Sequence, residues 1–378
     1  MAETTIEPTL ASLSDRLRVL HRQTRETPLF NPVFQLSLDI SRKLENGELD
    51  IGQLAGLVDE LEAQSLDARA SRLKKLLRPD RAGERLTQLS APNGNFEAFR
   101  AFWERPHMHA VFTAHPTFLL SPQQSDAVAA AVGNGGKATV RDGERPEITL
   151  RYEHGRAMSA MANAQDARDK LVATVLRQAG EAFPDRWTEL QPLPFRFATW
   201  VGYDMDGRTD IKWYTSIAFR LAEKAERLGR YAASLEAIDP SHELIATLRS
   251  AQERAQASAD EFAGDLSAPE DMSAAANRLT QDHPDKLLSL APLIERLEGE
   301  ADEQGVDTAV TLRTLAAAMR ADGLGMGWIH FRVNAKQLHN AIRTRLGDAA
   351  DIDLSSRGAV AALRELLADV EPQSANFA

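Results

Sequence analysis

The stretch PFRFATWVGYDMDGRTD, residues 194–210, decides how this chain is read. Its first half, PFRFATWVG (194–202), mixes aromatic and β-branched residues over the length of one strand. Its second half, YDMDGRTD, is made of residues that turn the backbone and carry charge. Two other segments have the same form: HAVFTA (109–114) runs into HPT, and GWIHFRV (327–333) runs into NAKQ.

Between these three segments the chain reads as amphipathic helix, at about 9–26, 29–46, 50–78, 156–182, 242–263 and 307–321. After KWYTS, Ile217, Leu221, Ala225 and Leu228 recur at helical spacing, while Arg220, Glu223, Lys224, Glu226 and Arg227 lie mainly on the other faces. That pattern predicts one inward face and a solvated remainder. Pro184, Pro192, Pro194 and Pro284, with glycines near 305 and 323–327, punctuate the helices. Residues 133–147, GNGGKATVRDGERPE, have no periodicity and are expected to form a loop. GNGGKA does not make a phosphate loop, because Ala131 stands at the first glycine position and Ala138 where Ser or Thr is needed. Strands separated by long helical stretches predict a parallel sheet or barrel with helices outside, whose ligand site forms at the carboxyl ends of the strands. On that reading His115, Asp204, Asp206 and Arg332 meet in space.

Composition narrows the function classes. The 378 residues are 43% hydrophobic and 26% charged, an ordinary globular balance that suffices for a large core. No apolar run approaches a membrane span, and the N-terminus lacks the basic-then-apolar pattern of an export signal, so a cytoplasmic protein is expected. Cysteine is absent, which leaves oxygen and nitrogen groups to carry any chemistry. A net charge of -11, with Lys and Arg interleaved among Asp and Glu, disfavours nucleic acid as a partner.

FTAHPT at 112–117 resembles the histidine motif of the phosphoenolpyruvate carboxylase family, and WVGYDMDGR at 200–208 is similar to that family's W-x-G-G-D-R-D-G-N. IHFRVNA at 329–335 resembles its L-D-I-R-Q-E-S segment, which aligns Arg332 with a family arginine. The departures are Phe118 to Ser121 after the histidine motif, then Tyr203, Met205 and Arg208 in place of glycine, arginine and asparagine. In the third segment Trp328, His330 and Asn334 stand in place of arginine, aspartate and glutamate. The resemblance implies a mostly α chain with a few parallel strands, the N-terminal part of a helix-decorated α/β (TIM-like) barrel. Residues 1–105 would form an N-terminal helical region, and 106–378 the first part of an incomplete barrel. It implies an enzyme joining bicarbonate to phosphoenolpyruvate to give oxaloacetate and phosphate, with Mg2+ or Mn2+ whose ligands are not in this chain. It also implies a homo-oligomer at full length. As the family's enzymes are far longer, the chain is expected to be a fragment, inactive alone. A non-catalytic helical regulatory or interaction module is the alternative.

His115 is the expected catalytic residue under that resemblance, since a histidine titrates near neutrality. Without the complete TAHPT string, a buried histidine satisfied by backbone carbonyls would be preferred. Thr113 and Thr117 flank it as site-lining or structural residues. Arg332 is the expected substrate-binding residue, because guanidinium presents paired donors to phosphate or carboxylate. An ion pair at a strand end is its competing reading. Asp204 and Asp206 do not fit an EF-hand loop and are expected to shape a turn, with Asp204 pairing with a nearby base. His107, His109 and His115 do not have zinc-ligand spacing. Trp200, Trp213 and Trp328 are expected in the core.

Overall fold

The computed structural model describes residues 9–24, 31–90, 94–114, 120–138, 140, 146–206, 208, 210–332, 334, 336, 339–340, 357–358, 360–361, 364–365 and 368. The first elements are α1 (Leu10–Gln23), α2 (Pro32–Glu45), α3 (Ile51–Leu77), α4 (Ala82–Ser90), α5 (Phe96–Trp103), β1 (Met108–Phe112) and α6 (Pro122–Asn134). There follow α7 (Leu150–Ala182), β2 (Phe195–Thr199), α8 (Trp213–Ile238) and α9 (Leu244–Phe262). The last are α10 (Pro269–Thr280), α11 (Ala291–Asp302), α12 (Val306–Asp322) and β3 (Trp328–Ile329). The fold is mostly helical with one small parallel sheet.

Local chemistry sets many of the helix starts. Thr9, Asn31, Asp50, Asn95, Ser121 and Thr149 each accept a backbone N–H of the first turn of the helix that follows. Such caps satisfy donors that have no partner inside the helix. The Thr149 cap places the start of α7 at Leu150, ahead of the 156 expected from periodicity. Helices α4, α5, α6, α10 and α11 were not visible as periodic segments, being only 8 to 13 residues long. The last two residues of α6 begin the expected 133–147 loop, and residues 139 and 141–145 of that loop lie outside the described residues.

The chain divides into two compact units. The first comprises Met1–Ala82 and Leu119–Pro146. Within it α6 lies on α3, burying Leu66 and Ala70 against Val128, Ala131 and Val132. Gln124 donates to Glu62 at 2.8 Å, and the Ala138 N–H donates to Asp67 at 2.6 Å.

The second unit comprises Gly83–Phe118 and Glu147–Ala378 and holds the sheet. Its strands are parallel in the order β1-β2-β3, with Ala110 opposite Phe197 and Ala198 opposite Trp328. Each of the three segments read as a strand from sequence contributes one strand of this sheet, shorter than expected, the third only over Trp328–Ile329. One sheet face is apolar and covered: Phe197, with the half-buried Ala110 and Phe112, packs on Met158 and Met161 of α7. Behind it a larger core joins α7, α8, α9, α11 and α12 through Val175, Leu176, Leu228, Leu235, Leu248 and Leu297.

Two expectations are corrected here. Trp200 is half-buried and Trp213 and Trp328 are exposed, so none is a core residue; the buried tryptophans are Trp103 and Trp187. Trp328 sits on the open sheet face, where the Arg196 guanidinium lies 5.1 Å from its ring centroid. The polar faces of α8 are not all solvated either, since Glu223, Lys224 and Arg227 are 2%, 5% and 2% exposed. The reason is that α8 is wrapped by both α9 and α12, so a single inward stripe cannot cover all its contacts.

Candidate functional site

At the carboxyl edge of the sheet, β1 ends at Phe112 and the chain continues into half-buried Thr113 and buried Ala114. His115 and Thr117 lie outside the described residues. The Thr199 hydroxyl, at the end of β2, donates to the Phe112 carbonyl at 3.0 Å and accepts the Val201 N–H at 3.1 Å. These bonds tie the β1 and β2 exits together. Beyond it the Tyr203 N–H reaches back to the Trp200 carbonyl, closing a turn in which Gly202 has φ 89°. A side chain is rarely tolerated at that angle, and a Cβ on Gly202 would lie 2.5 Å from the Phe219 ring.

After this turn the ladder between the second and third motifs resumes. The Arg332 N–H donates to the Tyr203 carbonyl at 3.0 Å and the Met205 N–H to the Arg332 carbonyl at 3.0 Å, making a parallel bridge between Asp204 and Arg332. The side chains meet as well, with Arg332 Nη1 donating to Asp204 Oδ2 at 2.8 Å. Asp204 Oδ1 accepts the Asp206 N–H at 3.3 Å, an Asx-type turn, while Asp206 itself is exposed. Asp204 and Arg332 are thus brought together across 128 residues of sequence, with Asp206 beside them. Arg332 has a side chain 55% exposed and has no other partner among the described residues. It keeps donors for a second, anionic group.

Beneath this edge lies a polar cluster that periodicity alone concealed. Glu223 on α8 accepts the Tyr203 phenol at 2.6 Å and His154 Nε2 at 2.9 Å on one oxygen, and Arg220 at 3.2 Å on the other. Tyr203, His154 and Glu223 are 1%, 7% and 2% exposed, and the His154 ring stacks on Phe219 at 4.1 Å. Burial pushes the Glu223 carboxyl up, but the hydrogen bonds from His154 and Tyr203 and the Arg220 charge outweigh it and hold its pKa below the ordinary carboxylate range. Burial, with the charge of Glu223, pushes the Tyr203 phenol well above its ordinary value. The proton therefore stays on Tyr203, and the phenol donates to a carboxylate. Arg220 crosses the backbone at Gly325, where a Cβ would collide with its guanidinium, and donates to the Gly327 carbonyl at 3.2 Å.

Arg208, from the same motif, bridges Asp210 and the buried Glu153 at the start of α7. It borders a cavity of about 510 Å³ with Arg151, Asp210, Phe219, Gln256 and Asp260. His109 and His330 stack at 5.4 Å on the open sheet face, and His107 Nε2 lies 2.8 Å from the Phe102 carbonyl oxygen.

A second buried network lies between α7, α8 and α12. Asp322, the last residue of α12, accepts Arg168 at 2.6 and 2.8 Å and Arg227 at 2.6 Å. Arg227 also donates to Gln165 at 3.1 Å, and Gln165 donates to the Met326 carbonyl just before β3. A carboxylate is disfavoured at a helix C-terminus by the helix dipole, and here two guanidinium groups offset that. The sequence signal for both networks was a charged residue next to an apolar stripe on α7 and α8. That signal is also given by every solvated helix face.

No protein-family model, curated protein or solved structure matches the chain in the comparisons made.

Proposed function

We propose that the sheet is the first part of an α/β barrel of the phosphoenolpyruvate carboxylase type, and that the chain is the N-terminal part of such an enzyme. The observation that carries this reading is positional. The segments resembling the family's second and third motifs leave adjacent parallel strands at one edge and meet through Asp204 and Arg332, and the strand preceding TAHPT ends at that edge. In parallel α/β sheets that edge is where ligands bind.

The reaction joins bicarbonate to phosphoenolpyruvate and yields oxaloacetate and phosphate. Two anions have to be held together, and the phosphoryl group moves to bicarbonate, leaving an enolate and carboxyphosphate. Arg332 holds an anionic group through the donors that Asp204 leaves free, and Asp204 fixes the direction of the guanidinium. His115 handles the proton during carboxyphosphate breakdown, with Thr113 and Thr117 flanking it. Magnesium or manganese supplies charge neutralisation in such chemistry. Among the described residues no group of three or more His, Asp or Glu is placed to hold a metal ion. Full-length protein would assemble as a homo-oligomer in the cytoplasm. Among the described residues, no helix is long and apolar enough to cross a membrane.

The test starts from the native polypeptide, sized through a peptide within residues 1–378, and assays its bicarbonate-dependent oxaloacetate formation. A much longer product that turns over, and loses turnover on His115→Asn, supports the proposal. Undiminished turnover in His115→Asn rejects the role of His115, and turnover by the isolated chain rejects its being an inactive part.

One observation favours the non-catalytic module instead. Tyr203, Arg208 and His330 all depart from the family pattern, and all three are engaged in structural contacts, with Glu223, with Glu153 and Asp210, and with His109. A native product ending at Ala378 would favour that reading.

A further inference from the structure

Strands β1 and β2 and residues 328–332 hold four ionisable side chains, His109, Arg196, His330 and Arg332, and all four are basic. The chain as a whole carries a net charge of -11, so this is a local reversal of sign. Alternation along the strands puts the four on one face. His109 is the register partner of Arg196, and Val111, Ala198 and Trp328 are aligned two residues further on. His330 and Arg332 then follow Trp328 at intervals of two. The opposite face is the one that Ala110, Phe112 and Phe197 bury under α7. Parallel sheets are ordinarily covered on both faces. Here Val111 is 39% and Trp328 52% exposed, and His109 and His330 are exposed with them.

The basic groups on this face hold donors and lack acceptors. The Arg196 guanidinium lies on the Trp328 ring, a contact that takes none of its N–H groups as a hydrogen bond to an acceptor. Arg196 has no hydrogen bond or ion pair among the described residues. His109 and His330 reach towards each other from the two sides of β2 and stack at 5.4 Å with an interplanar angle of 14°. Ala198, midway between them in register, is 0% exposed. The ring nitrogens of both histidines also lack a hydrogen-bond partner among the described residues. Asp204, at the carboxyl edge, is bonded to Arg332.

We propose that the open sheet face is a second anion site, which binds the phosphate group of a small molecule between Arg196, His109 and His330. The charge of the face selects an anion, and the arrangement of donors selects among anions. A carboxylate offers two oxygens in one plane and is satisfied by a single guanidinium. Three donor groups from three strands are matched by a tetrahedral oxyanion, which accepts on several sides at once. The remainder of the ligand lies on Val111 and Trp328. The overall charge of the chain disfavours a nucleic-acid backbone as the source of the phosphate. The inference needs only the three strands and does not rest on the carboxylase reading.

The test is calorimetric titration of the folded 378-residue chain with inorganic phosphate, acetate and a single-stranded oligonucleotide. Phosphate is expected to bind at least about tenfold more tightly than acetate. Arg196→Gln should weaken phosphate about tenfold, as should the joint change His109→Leu, His330→Leu, with a thermal melt confirming that the variants fold. Val111→Glu sets a carboxylate among the donors and should abolish binding. Arg332→Gln should leave the affinity within about twofold, which separates this site from the edge. Arg177→Gln removes one charge from a pair with Asp307 away from the sheet and should also leave it within about twofold. With histidine labelled in nitrogen-15, phosphate should shift the ring signals of His109 and His330 but not those of His242, which is bonded to Glu300. No heat with phosphate at about 10 mM, equal binding of acetate, or equal losses in Arg196→Gln and Arg177→Gln would overturn the proposal. So would a loss confined to Arg332→Gln, or tighter binding of the oligonucleotide that Arg196→Gln removes. No turnover is measured, so failure here and failure of the carboxylase assignment are separate results.

Discussion

Replacing Asp322 with asparagine removes one charge and almost no volume, so it isolates the electrostatic role of the buried network. In the native protein Asp322 accepts three charge-assisted hydrogen bonds, at 2.6, 2.8 and 2.6 Å, and its side chain is 1% exposed. Its two partners, Arg168 and Arg227, have side chains 1% and 3% exposed. In Asp322→Asn, Arg168 keeps Asp169, but Arg227 keeps the neutral amide of Gln165 and the face of the Tyr231 ring, 4.3 Å from its guanidinium, with no carboxylate hydrogen-bonded to it. Removing one partner of a buried pair costs about 3–5 kcal/mol, because the remaining charge stays out of water. With an m-value of about 3 kcal/mol/M in urea, a loss of about 4 kcal/mol lowers the unfolding midpoint by about 1.3 M. Tryptophan fluorescence is the suitable probe, because all five tryptophans lie in the unit that contains this network. The control is Arg186→Gln, which breaks a solvent-screened pair with Glu97 and Glu189 and should shift the midpoint little. If Asp322→Asn costs no more than that control, Arg227 finds solvent or another partner and the argument from burial fails. The triple change Arg168→Met, Arg227→Met, Asp322→Leu should recover most of the loss, since apolar groups of similar size often replace buried ions at little cost.

Three further outcomes are expected from denaturation experiments. Tyr203→Phe removes a 2.6 Å hydrogen bond to the buried Glu223 carboxylate and should cost about 2 kcal/mol; a change below about 0.5 kcal/mol would mean that Glu223 does not need the phenol. Gly202→Ala, at φ 89° and against the Phe219 ring, should cost more than about 1 kcal/mol, and a neutral result would show that the turn can relax. Burial, with the charges of Lys286 and Arg220, holds the Lys224 pKa down from 10.5 to about 8. Between those values the unfolded chain binds the proton and the folded chain releases it, so this group makes stability rise with pH. Below about 8 the cost of its buried charge is fully present. Lys224→Met should therefore exceed the native protein in stability near neutrality, with a gap that closes by as much as about 3 kcal/mol as pH rises to 10.5; a pH-independent gap would refute the assignment.

What the sequence by itself determined were the features carried by short-range chemistry. Mixed aromatic and β-branched residues marked 109–114, 194–202 and 327–333 as strand segments, and the long intervening helices pointed to a parallel arrangement, which the sheet has. Charged turns after them marked the edge where Asp204 and Arg332 meet. The long helices were legible because their apolar residues recur over many turns, whereas α4, α5 and α6 are too short for that signal. His115 and Thr117, which the histidine motif singles out, lie outside the described residues.

Only the tertiary structure decided which polar residues are buried. Arg227 sits on a face that sequence periodicity assigns to solvent, as Glu226 does, yet Arg227 is 2% exposed and Glu226 is fully on the surface side. The same holds for Glu223, whose partners His154 and Tyr203 lie 69 and 20 residues away in the chain. A helix wrapped by several neighbours buries residues outside its apolar stripe, and which of them is buried depends on where those neighbours cross. Crossing positions are long-range quantities, set by packing against elements far away in sequence. Hydrophobic periodicity, a property of one helix at a time, does not contain them.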